Sequence, residues 1–209
     1  MPELAIDVVS DVVCPWCLIG LRRLEQALQA FPDVEASITF HPFLLDPATP
    51  DEGEDLRERL QRKYGVQPQV MFARVEAAAR ESGVPLDFTK VTRSVATVRA
   101  HTLLRHAVDR GTQRALKNAL LEAYFIEGRD VGAVAVLVDI AAAHGFAPDE
   151  ARALVSDEAE LRETRAEAAS VAEQGVNGVP FFVIGKRFAF SGAQPVDMMK
   201  GVIERALGA

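Results

Sequence analysis

Two cysteines stand three residues apart in Cys14-Pro15-Trp16-Cys17, and the chain has no others. The thiolate is the reactive form of cysteine, and a pair at this spacing can exchange electrons with a disulfide. A structural bridge is a poor use for the pair, because closing so small a loop removes little entropy from the unfolded chain. A secreted disulfide scaffold would carry more cysteines, more widely spaced. The pair is also half of a zinc site, but Zn²⁺ takes four ligands. The other half is missing, since His41, His101, His106 and His144 are scattered. His101 and His106, five apart, do not share a helical face and read as ordinary helix residues. The motif therefore points to redox chemistry without a metal, with two inert buried thiols as the bland alternative.

The elements on either side must position these sulfurs. Leu4 to Val9 is an apolar strand ahead of the pair. Behind it, Leu21, Leu24, Leu28 and Phe31 fall on one helical face, with Arg22, Arg23, Glu25 and Gln29 opposite. Pro15 suits the first helical turn, where its missing N–H costs nothing. Cys14 then sits at a helix N-terminus, where unpaired N–H groups and the helix dipole favour an anion. Cys17, one turn on, is within disulfide reach on the same face. Phe31-Pro32-Asp33 ends the helix. Val34, Ala36, Ile38 and Phe40 then alternate with polar residues, the period of a half-buried strand. A strand–helix–strand unit predicts parallel strands with a right-handed crossover.

From about Pro50 to Gln174 the texture turns Ala-rich, charged and helical. Helices are expected near 52–64, 67–82, 94–110, 112–127, 131–144, 148–155 and 157–174, with glycines as stops. Strands return at Pro180 to Ile184 and Arg187 to Phe190, joined by Gly185-Lys186 as a two-residue hairpin loop. A last helix starts near Pro195 and buries Val196, Met199, Ile203 and Ala206. The expected fold class is α/β. Residues 1–49 and 175–209 would share one small sheet, and 50–174 would form a helical insertion subdomain.

The 209 residues are 49% hydrophobic and 25% charged, a globular composition. Lys and Arg total 23 against 30 Asp and Glu, and no basic run appears, so nucleic acid is a poor partner. No apolar stretch is long enough to span a membrane. The N-terminal strand, interrupted by Glu3 and Asp7, does not read as a signal peptide, so a cytoplasmic location is expected. Gly185-Lys186 is not a phosphate loop, because Pro180 stands where the first glycine is needed and Arg187 replaces the Ser or Thr. Read from the residues alone, Val179-Pro180 is an ordinary trans proline opening a strand.

Taken together, several segments resemble the DsbA-like thioredoxin-fold family, and within it the FrnE-like branch of disulfide oxidoreductases. They are Cys14-Pro15-Trp16-Cys17 after a strand, the helical insertion, Gly175-Val176-Asn177-Gly178-Val179-Pro180 and Ser191-Gly192-Ala193-Gln194-Pro195. Pro42-Phe43-Leu44 with Pro47, and Ala100-His101, extend the resemblance over nearly the whole chain. It implies a thioredoxin fold, β-α-β … β-β-α, interrupted by the helices. It also implies a cis Val179–Pro180 peptide facing the cysteines, whose Val179 backbone can pair with an extended substrate. Trp16 would form an apolar lip beside the sulfurs. Asp11 matches an acidic position of the branch, either as a proton relay for Cys17 or as a turn or cap residue. The sequence departs from the pattern at Ala96-Thr97, where Asn-Thr is usual, and at Phe181, where Thr is common.

The resulting expectation is a thiol–disulfide oxidoreductase, acting in the reductase or isomerase direction on client proteins or small disulfides. Cys14 would attack and Cys17 resolve. No cofactor is needed beyond the redox pair, with glutathione as a candidate co-substrate. A second reading is a glutathione-dependent isomerase or transferase of the kappa-like, hydroxychromene-carboxylate isomerase type, which usually holds Ser at the place of Cys14. A third is a binding module that uses the helical block as its interface. The oxidoreductase reading requires the Cys14 sulfur to be open to solvent and close to Val179.

Overall fold

The computed structural model describes residues 3–208. Strand β1 (Glu3–Ser10), helix α1 (Pro15–Leu28) and strand β2 (Glu35–Pro42) follow in the expected order. β1 and β2 are parallel along their full length, from Glu3 opposite Glu35 to Ser10 opposite Pro42. Pro15 occupies the first turn of α1, and Ile19, Leu21, Leu24 and Ala27 are buried along the helix. They join Leu4, Ile6 and Val8 of β1 in one apolar cluster. The strand alternation that puts these three on one face leaves Asp7 and Val9 on the other.

The helical block runs β3 (Glu54–Asp55), α2 (Leu56–Tyr64), α3 (Pro68–Glu81), β4 (Arg93–Ser94), α4 (Val98–His106), α5 (Gln113–Phe125), α6 (Val134–Ala142), α7 (Pro148–Ser156) and α8 (Glu158–Glu173). Two expected helices start later than their patterns suggest. Asp55 caps α2, accepting from the N–H groups of Arg57 and Glu58, so the helix begins at Leu56 and not near 52. The preceding Glu54, held by Arg59 and Arg62, pairs in a two-residue antiparallel ladder with β4. That ladder also takes up the start of the helix expected from 94, which forms only from Val98. Gly65 ends α2 in the left-handed region, at φ 67°.

The chain re-enters the sheet with β5 (Phe181–Ile184) and β6 (Phe188–Ser191), and ends in α9 (Val196–Leu207). The sheet order is β2-β1-β5-β6, with β5 antiparallel to both of its neighbours. The hairpin loop has three residues and not two: Ile184 pairs with Phe188, and Arg187 lies in the turn. Gly185 and Lys186 both take positive φ, at 60° and 57°, and the strand resumes one residue later than expected. Pro195 is the N-cap of α9, which buries Met199, Val202 and Ile203 and packs on α1. On the face that carries Asp7 and Val9, α8 packs against β2, while α5 meets the free edge of β2, where the Gln113 side chain bonds the backbone N–H and carbonyl of Phe40. This is the thioredoxin arrangement with helices inserted between β2 and β5. Among the described residues no helix is long and apolar enough to cross a membrane.

Candidate functional site

The site forms where the C-terminal end of β1 turns into α1. Cys14 is the N-cap of α1, in an extended conformation, and its side chain makes no capping bond. Its carbonyl accepts from the N–H of Cys17 at 3.0 Å, so the second sulfur follows one turn later. Both cysteines are free thiols. The Cys14 thiol donates to the Val179 carbonyl oxygen at 3.6 Å, which joins residues 165 apart in the chain. The Val179–Pro180 peptide is cis, in contrast to the trans bond read from the residues alone.

One expectation needs correction. Cys14 is only 3% exposed, so its sulfur does not stand open to solvent. The Val179 loop folds over it, and Val13, Pro15, Trp16, Gly178 and Val179 around it are half-buried. Of the two conditions set by the oxidoreductase reading, closeness to Val179 is met and openness to solvent is not, so attack by Cys14 requires this rim to part. Cys17 is fully buried beneath. Burial, followed by the hydrogen bond and charge of Cys14, pushes the Cys17 thiol well above its ordinary value. Trp16 packs at the rim against the core, with the Arg74 guanidinium 5.9 Å over its ring.

The Val179 loop is fixed by packing on α1. Gly20, one turn beyond Cys17, leaves room for the Pro180 ring, and the Pro180 carbonyl accepts from the Gly192 N–H at 2.7 Å. Arg23, on the next turn of α1, donates to the Ala193 carbonyl at 2.6 Å and to the Ser82 hydroxyl at 2.8 Å. The Ser191–Pro195 run is thereby tied to the same helix as the cysteines.

Asp11 does not cap α1. It is 1% exposed and its carboxylate accepts from three donors: the Val12 N–H at 2.7 Å, the Leu45 N–H at 2.8 Å and the His101 ring at 3.0 Å. Burial works to raise its pKa but is outweighed by His101, the Leu45 N–H and Lys117, which leave it below the ordinary carboxylate range. Burial lowers His101 against the pull of Asp11. The consistent assignment is an ionised Asp11 and a neutral His101 that donates its Nε2–H. His106 takes no part: it pairs with Glu160 at 2.8 Å on the α4–α8 contact. His41 pairs with Asp7 at 2.9 Å across β1 and β2.

Sequence reading missed one residue altogether. Lys117 of α5 is 0% exposed, and its Nζ has no hydrogen-bond partner. It lies on the buried face with Gln113, Leu120, Leu121 and Tyr124, spaced four, three, four and seven residues away. A lysine inside an apolar helical stripe was the available signal. Burial lowers its pKa, opposed by Cys17, Asp11 and Cys14, the charges that face it. Among the described residues no cluster of His, Cys, Asp and Glu could hold a metal ion. A cavity of about 70 Å³ opens against Asp11 and Val13, lined also by Leu45, Lys63, Tyr64 and Thr97.

Comparison with solved structures agrees with this architecture. The probable DsbA oxidoreductase SCO1869 of Streptomyces coelicolor is 32% identical and superposes with a TM-score of 0.87, covering 98% of this chain and 90% of its own. A 2-hydroxychromene-2-carboxylate isomerase shares the fold at 16% identity, with a TM-score of 0.75 over 96% of this chain and 95% of its own. So does the cytosolic disulfide reductase DsbM of Pseudomonas aeruginosa, solved with GSH, at 18% identity and a TM-score of 0.67 over 98% and 100%. Residues 5–204 match the DSBA-like thioredoxin domain, and the chain belongs to that family.

Proposed function

We propose that the chain is a thiol–disulfide oxidoreductase of the FrnE-like branch, in which Cys14 attacks and Cys17 resolves. The reading is carried by one observation: the Cys14 sulfur, at the N-terminus of α1, lies 3.6 Å from the carbonyl of Val179 in a half-exposed loop. An extended segment laid along this loop can pair with the Val179 backbone as with a sheet edge, which brings its disulfide to Cys14. The Cys14 thiolate bonds to one substrate sulfur, and the other leaves as a thiolate with the electron pair and is protonated. Cys17 then loses its proton and attacks the Cys14 sulfur. This frees the second substrate sulfur and closes the Cys14–Cys17 bridge. The substrate gains two electrons and the protein loses two. A Cys17 thiol held protonated by burial suits a resolving partner, because it does not compete for the first attack.

The reductase or isomerase direction fits a cytoplasmic setting, where the glutathione pool keeps such a pair as the dithiol. The half-exposed Val179 loop beside Cys14 favours a client protein or an extended small disulfide laid across the rim. Glutathione is the candidate co-substrate, in keeping with the GSH bound to a similarly folded disulfide reductase.

The test is insulin reduction together with mixed-disulfide trapping. Cys14→Ser abolishes both, whereas Cys17→Ser accumulates a client joined to Cys14. Normal insulin reduction by Cys14→Ser overturns the assignment. Isomerisation of a hydroxychromene carboxylate with glutathione, in the absence of insulin reduction, would place the chain with the isomerases instead.

A further inference from the structure

The helical block brings an unpaired charge to the cysteine turn. Arg74 of α3 sets its guanidinium 5.9 Å from the centroid of the ring of Trp16, the residue between Pro15 and Cys17. Its side chain is exposed. The α3 positions three and four residues away, Val70, Met71, Ala77 and Ala78, are uncharged, so no neighbour on the helix neutralises it. Other arginines of the block are paired: Arg59 with Asp46 and Glu54, Arg105 with Glu160, Glu163 and Glu167, and Arg110 with Glu150. Among the described residues Arg74 forms no such pair. Two further cations close to the site are committed, Arg23 to Ser82 and Ala193, and Lys63 to Asp46. The rim itself, Val13, Pro15, Trp16, Gly178 and Val179, carries no charge, while the chain as a whole carries −7. An acidic protein repels an approaching anion, and a free cation at the mouth of the site reverses that locally. Contact with the ring leaves the guanidinium N–H donors uncommitted, and their fork matches a carboxylate.

We propose that Arg74 makes the site selective for disulfides that carry a carboxylate close to the reacting sulfur, whether in a client segment or in a small disulfide. This rests on the exchange reading above and names the substrate class of the same site. The substrate backbone pairs with Val179, and its carboxylate settles on the Arg74 guanidinium beside Trp16. Arg74 stays protonated throughout and moves no proton or electron. Its part is to draw the substrate in and hold it while Cys14 captures the sulfur. Because this contact is made at an exposed rim, its strength is that of a surface ion pair and salt screens it.

Stopped-flow capture by the dithiol protein compares two aromatic disulfides, the anionic dithiobis(nitrobenzoate) and the neutral dithiodipyridine, each of which releases a coloured thiol. The ratio of the two rates is read, because it cancels any change that affects both reagents. In Arg74→Gln this ratio is expected to fall about two- to fivefold at low salt, the scale of one exposed charge pair. Arg74→Lys should restore most of it. Salt at about 1 M should bring the wild-type ratio down to that of Arg74→Gln. Cystamine, a cationic disulfide, is expected to gain on the neutral reagent in Arg74→Gln by a similar factor. An unchanged anionic ratio in Arg74→Gln overturns the proposal, and so does a cystamine ratio that falls with it. An Arg74→Lys protein no better than Arg74→Gln overturns it as well, since charge is then not what selects. A wild-type protein that captures neither aromatic reagent refutes the exchange reading itself, which is a distinct outcome.

Discussion

A methyl group added to Gly20 would lie 2.9 Å from the Pro180 ring and 3.3 Å from Phe182. Neither neighbour can retreat, since Pro180 and Phe182 are both buried and the Pro180 carbonyl is bonded to Gly192. Gly20 thus sets how closely the Val179 loop approaches α1, and through it the 3.6 Å gap at Cys14. Gly20→Ala is expected to cost about 1–3 kcal/mol by overpacking, read from urea denaturation. Displacing Val179 should also lower the rate of insulin reduction by roughly tenfold or more, because small misplacements near reacting atoms are costly. An alanine variant with unchanged rate would separate the loop from the chemistry.

At the scale of elements, one side chain ties three segments together. Arg23 of α1 reaches Ser82 just past α3 and Ala193 ahead of α9, while Gln26 on the same helix donates to the Ser82 carbonyl at 3.2 Å. Arg23→Met keeps the aliphatic stem but loses both bonds, for an expected loss of about 1–2 kcal/mol. The Gly192 amide, held by the Pro180 carbonyl, should exchange faster with solvent while amides in β1 do not. Equal protection at Gly192 would mean the loop is held by its own turn. The elements themselves were largely legible in the sequence, because strand alternation, helical stripes and Gly or Pro stops act locally. The β3–β4 ladder was not, since two residues give no period and their pairing depends on Glu54 finding Arg59 and Arg62. The site divides in the same way. Cys14 and Cys17 announce themselves by type and spacing, and Pro180 enters only through the family resemblance, whereas the Asp11–His101 bond spans 90 residues and the covering of Cys14 depends on a loop 165 residues distant.

Across the whole molecule, four buried groups make stability depend on pH, and their signs can be worked out separately. His101 and Lys117 have folded pKa values below their unfolded ones, both chiefly through burial. As pH falls below about 6.5 for His101, or about 10.4 for Lys117, the unfolded chain binds a proton that the folded one refuses, so stability drops. Cys17 acts oppositely: its raised thiol contributes stability that is lost as pH rises above about 8.5. Asp11, held low, matters only below about 4. Between pH 7 and about 8.5 the lysine therefore acts alone, and unfolding free energy is expected to climb with pH by up to about 1.4 kcal/mol per unit. Lys117→Met removes that climb and raises stability at pH 7 by roughly 1–4 kcal/mol, as when a buried ion is replaced by an apolar side chain of similar shape. In Cys17→Ala the climb should continue past pH 8.5, because the opposing thiol is gone. Urea titrations of the three proteins across this range provide the check. A wild-type protein whose stability is flat from pH 7 to 8.5 would mean that Lys117 stays charged in the folded state.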